Sequence, residues 1–163
     1  MTFDFEEFYS QLLEDKIYFD DFPKGRLSQF KSKTLPLLKK NVRERDQNGL
    51  SATLAVIYYD GGDQDYTDIL LNLLDQKWHI LIEDIVEVLG KIKDPKTVNK
   101  LYEVAINVPD WDEMRGLAKK CMWALSAIGT PEAIKKLEQL QSMDDWIIKE
   151  NATFQLEKVI KKH

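Results

Sequence analysis

Few residues of this 163-residue chain are of a type, and at a spacing, that chemistry needs. His79 and Glu83 are four apart and Glu87 continues their row, so on a helix the three share a face. One imidazole beside carboxylates is a thin ligand set. It reads as a surface pair or a partner contact rather than a metal centre. The other histidine, His163, is the last residue, which removes most schemes that need an imidazole base or several histidines. Asp60, Asp63, Asp65 and Asp68 flank Gly61 and Gly62. Clustered carboxylates can hold Ca²⁺, but this is not the spacing of the helix–loop–helix site, and Asp and Gly are what turns and caps use. Cys121 lies in line with Leu117 and Leu125 and reads as a small buried residue. No Ser/His/Asp, Cys/His or Gly-rich phosphate motif has workable spacing. The expectation is no catalytic residue, no cofactor and no metal, hence not an enzyme.

Helices must position whatever these residues do. Apolar residues recur at three and four positions, and strand signals are nearly absent. Phe5, Phe8, Tyr9 and Leu12 predict a helix near 3–14, then a connecting loop over Lys16–Lys24 and a short helix at 25–31. Pro36 is expected in the first turn of a helix striped by Leu35, Leu38 and Val42, with Gly49 as its left-handed end. Leu50, Leu54 and Ile57 mark the next helix, which Gly61 and Gly62 break. Ile69, Leu70, Leu73 and Leu74 mark the one after. Further helices are expected at 79–92, after Asp94–Pro95, at 112–128, after Thr130–Pro131, and after Asp144 or Asp145.

The segments LGKIKDPKTVNKL (89–101) and LSAIGTPEAIKKL (125–137) are one pattern written twice, 36 positions apart. Alternate helices align at Leu54, Leu89, Leu125 and Leu156, in steps of 35, 36 and 31 residues. Paired helices at this period predict a solenoid. The fold class is therefore all-α, in a single domain over 1–163. About four helix pairs occupy 35–163, and an N-terminal helix and loop over 1–34 cover the open first end.

The stretch LAKKCMWALSAIGTPEAIKKL (117–137) resembles the HEAT-like repeat of the bilin-lyase type. Leu117, Cys121, Ala124–Leu125, Ile128–Gly129, Pro131 and Ala133–Ile134 carry the match. Ile148–Lys149, Ala152 and Leu156 extend it into the last unit, and Leu89–Gly90, Ile92 and Asp94–Pro95 into the unit before. The likeness is good over 78–163, weak over 35–75 and absent earlier. It implies a right-handed α-solenoid of HEAT-like pairs. The arginine that often forms a ladder between such repeats is replaced by Ala118 and Ile82, and only Lys149 keeps a cation there. Trp78, His79, Glu83, Asp84 and residues 120–125 are also similar to small bacterial HEAT-like immunity proteins of polymorphic toxin systems. That resemblance implies a cytoplasmic antitoxin.

Charge narrows the partners. Residues 1–75 hold 9 Lys/Arg against 14 Asp/Glu, while 76–163 hold 14 of each. An acidic half argues against nucleic acid, which needs a basic footprint, and suits a basic protein such as a toxin domain. No run is apolar enough to span a bilayer, and the acidic N-terminus does not read as a signal peptide. A single cysteine fits a reducing compartment. The expectation is a cytoplasmic protein, monomeric when free.

In HEAT-like solenoids the second helix of each pair lines the inner face. At about 100° per residue, the expected core stripe of 112–128 leaves Arg115, Lys119 and Trp123 on the opposite side. The matching residues are His79, Glu83 and Glu87 one unit earlier, and Trp146, Glu150 and Phe154 one unit later. These nine form the expected partner-binding ridge. The functional expectation is a non-catalytic protein-binding module, most specifically an immunity protein that occludes a toxin. The alternatives are an assembly scaffold, or a ligand- or nucleobase-handling enzyme on the same fold.

Overall fold

The computed structural model describes residues 4–16 and 30–162. The expected loop after Lys16, positions 25–29 of the expected short helix, and His163 lie outside them. Among the described residues there are nine α-helices and no strand. They are α1 (Phe5–Leu13), α2 (Lys31–Glu44), α3 (Gln47–Tyr59), α4 (Thr67–Leu73), α5 (Ile82–Ile92), α6 (Val98–Ile106), α7 (Gly116–Ile128), α8 (Pro131–Gln141) and α9 (Trp146–Lys161).

Local chemistry starts most of them. Asp4, Asp46, Thr130 and Asp145 accept hydrogen bonds from first-turn amides of α1, α3, α8 and α9, and Asp94 does so for the 3-10 turn that leads into α6. Each such cap is worth about 1 kcal/mol. The helices then pack in chain order. α2 lies on α3, α4 on α5, α6 on α7 and α8 on α9, while α3, α5, α7 and α9 pack side by side in succession. The result is solenoid-like. Leu54, Leu89, Leu125 and Leu156, the repeated leucines, are all buried in one continuous core. Gly90 marks the closest approach of α5 to α7, since a Cβ there would lie 3.1 Å from the Ala124 Cβ. A second, smaller core joins Phe5, Phe8 and Tyr9 of α1 to Ala52 and Val56 on the side of α3 turned from α5. α1 thus covers the first end, where no preceding pair exists to do so.

Four expectations about helix ends are corrected. α2 begins at Lys31, so Pro36 lies inside it rather than in its first turn. The Phe30 amide there donates to Asp60 Oδ2 at 3.0 Å, so this end is held from 30 residues away. α2 ends at Arg45 in the left-handed region (φ 53°), not at Gly49. Gly49 sits in the first turn of α3, where a Cβ would come 2.6 Å from Asn41 Oδ1. α5 begins at Ile82 rather than 79. α7 begins at Gly116 rather than 112 because the Asp112 carboxylate accepts the Gly116 and Leu117 amides at 2.7 and 3.0 Å.

Candidate functional site

Of the nine expected ridge residues, two are diverted into holding the fold. His79 precedes α5 and is buried. The Leu81 amide donates to its Nδ1 at 3.1 Å, which leaves Nε2 as the donor to the Leu73 carbonyl at 2.9 Å. With both nitrogens bonded inside the chain, His79 is a joint between α4 and α5 and leaves the ridge. Arg115 is left-handed (φ 57°) at the entrance to α7. Its Nε donates to Asp145 Oδ2 at 2.6 Å and its NH1 to the Asp112 carbonyl at 2.7 Å. It braces the start of α7 against the start of α9. Burial works against the Asp145 carboxylate, but Arg115 and the Ile148 and Ile147 amides overcome it and hold its pKa low.

Glu83 and Glu87 remain on the outer face of α5, and both accept from Lys120 Nζ of α7 at 2.9 Å. Burial alone would lower the Lys120 pKa, but the two carboxylates outweigh it and raise it. This fork ties α5 to α7. Asp84, between the two glutamates, has no ion-pair partner within the described residues. Desolvation raises its pKa first and Glu87 raises it further, with Lys120 opposing.

Trp123 and Phe154 are 51% and 59% exposed, and each lies two residues before the repeated leucine of its helix. Trp123 stands at a groove of about 370 Å³ between α5 and α7, together with Val86, Glu87, Gly90 and Lys91. Trp146 and Glu150 are exposed on α9 and Lys119 is half-buried on α7. Periodicity could not find Trp111, Met114 and Ile80, which are also exposed, because they lie in the turns before α7 and α5. The available signal was a tryptophan set in the acidic, aperiodic run PDWDEM (109–114).

The other candidates are absorbed by the fold. Asp63 and Asp65 bind Lys31 Nζ, Asp68 binds Lys96, and Asp60 holds Phe30. No group of three or more His, Cys, Asp or Glu that could hold a metal occurs among the described residues. Cys121 is buried, and desolvation, with Asp112 adding to it, pushes the thiol pKa far up, away from nucleophilic use. No helix among the described residues is long and apolar enough to cross a membrane.

Residues 117–142, which are α7, α8 and the start of the turn beyond, match the family model described as PBS lyase HEAT-like repeat. No curated protein and no solved structure matches the chain. The match and the stacked helix pairs together support a HEAT-like repeat within this all-helical stack.

Proposed function

We propose that the chain is a non-catalytic protein-binding module, a right-handed HEAT-like solenoid, and more specifically an immunity protein that binds and occludes a cognate toxin. One observation carries the reading: two large aromatics, Trp123 and Phe154, stand exposed at equivalent positions of neighbouring helices. Aromatics of this kind are the commonest anchors of protein interfaces. Glu87 shares the Trp123 groove, and Lys119 and Glu150 lie one turn before Trp123 and Phe154. The mechanism is steric. A partner desolvates the indole and phenyl rings, the charged rim sets its orientation, and the covered toxin surface loses access to its substrate. No bond is made or broken. The reading implies action in the cytoplasm, by a monomer until it meets its toxin.

The test is co-expression with the product of the adjacent open reading frame, scored as growth rescue and as a dissociation constant. Trp123→Ala with Phe154→Ala should weaken binding at least ~30-fold, about 2 kcal/mol, and abolish rescue while the circular dichroism stays unchanged. Absence of binding to any neighbouring gene product, or undiminished binding by the double variant, refutes the reading.

A further inference from the structure

A second apolar surface runs along the edge formed by the starts of α5, α7 and α9. Trp123 lies seven residues into α7 and Phe154 eight into α9, roughly 10 Å away along the helix axes. On this edge Ile80 is 84% exposed, Trp146 70%, Met114 69% and Trp111 65%. Ile80 and Trp111 are neighbours. Ile80, Ile82 and Trp111 line one groove of about 480 Å³, whose other walls include Glu83, Asp84 and Lys120. Met114 and Trp146 stand farther along the edge, each next in sequence to one partner of the Arg115–Asp145 bond. Large exposed apolar residues gathered at one edge mark an interaction surface.

Acids outnumber cations around the row, with Lys77, Lys119 and Lys149 at its margins. Asp84, Asp110, Glu113 and Asp144 have no ion pair within the described residues. Of the cations beside it, Arg115 is committed to Asp145 and Lys120 to Glu83 and Glu87. A second copy of this chain would bring Asp84, Asp110, Glu113 and Asp144 against their own kind, which disfavours it as the occupant. We infer that this edge docks a basic amphipathic segment of a protein partner. The segment's apolar residues enter the Ile80–Trp111 groove, and its Lys or Arg side chains meet Asp84, Asp110, Glu113 and Asp144. The raised pKa of Asp84, a desolvated carboxylate crowded by Glu87, is what an arriving cation would relieve. The inference rests on the protein-binding reading but requires neither a toxin nor the Trp123–Phe154 surface.

The probe is a synthetic amphipathic helical peptide of Leu and Lys, with its Leu/Glu counterpart as control, titrated into the full chain by calorimetry at two salt concentrations. The Leu/Lys peptide should bind saturably and the Leu/Glu peptide should not. Trp111→Ser and Ile80→Ser should each weaken binding at least tenfold. Asp84→Asn, which alters no apolar contact, should weaken it several-fold and flatten its salt dependence. Trp123→Ala with Phe154→Ala should leave it unchanged, so a failed rescue assay and a failed titration indict different surfaces. Non-saturable binding, equal binding of both peptides, or loss only in the Trp123/Phe154 variant overturns the inference. So does self-association, seen in sedimentation, that Trp111→Ser abolishes.

Discussion

The His79 ring ties the turn from α4 to α5, accepting from the Leu81 amide and donating to the Leu73 carbonyl. His79→Ala leaves the Leu81 amide without this partner, leaves the Leu73 carbonyl to the Gln76 amide, and empties the buried site of the ring. It should cost about 2–4 kcal/mol by urea denaturation. A loss below about 0.5 kcal/mol would show that the turn closes without the ring. Asp84 makes the opposite prediction. Its pKa is raised in the fold, chiefly by desolvation and then by Glu87, so the native state takes up its proton more readily than the unfolded chain. Stability from this group is therefore greatest below the ordinary carboxylate range and falls as pH rises through the raised value. Asp84→Asn should make the protein more stable at neutral pH, by only a few tenths of a kcal/mol because the residue is exposed. The gain should vanish below the ordinary carboxylate pKa. Denaturation midpoints across that window, compared between the two proteins, check the sign.

The seam between α5 and α7 is held in two ways of different size. The Lys120 fork to Glu83 and Glu87 joins partly exposed groups, so Lys120→Met should cost about 1 kcal/mol or less, and the cost should shrink in high salt. Gly90 against Ala124 is steric contact, so Gly90→Leu should cost about 1–3 kcal/mol or more and be indifferent to salt. A salt-sensitive Gly90→Leu effect would show that the substitution acts through the fork instead. At this scale the sequence was most legible where the encoding is local. Leu54, Leu89, Leu125 and Leu156 announced the stacked helices because burial and helical period coincide there, and Asp94, Thr130 and Asp145 announced helix starts because each caps its own next turn. The ends that could not be read depend on distant or unusual partners. Asp60 fixes the start of α2, Asn41 crowds Gly49, and Arg115 takes a glycine-like conformation while bound to Asp145. The site divides the same way. Trp123 and Phe154 were found because they sit off the stripe of regular helices, whereas Trp111 and Met114 sit where no period exists.

The whole molecule carries its strain and its stability from neighbour to neighbour. α1 reaches the rest of the fold through α2 and α3 and a small core of its own, separate from the one that runs to α9. In a stack with this connectivity, stability is close to a sum of unit terms and nearest-neighbour interfaces. Phe8→Ala removes a buried ring from that small core, a loss of about 3–5 kcal/mol if the site cannot collapse. Because the loss is confined to the first interface, hydrogen exchange should quicken in α1 and on the face of α3 it covers. Protection in α7–α9 should persist, and with it the binding that uses Trp123 and Phe154, two and three units farther along. A uniform loss of protection through α9 would mean that the helix pairs unfold as one cooperative body. The binding face would then depend on the N-terminal cap as directly as on its own residues.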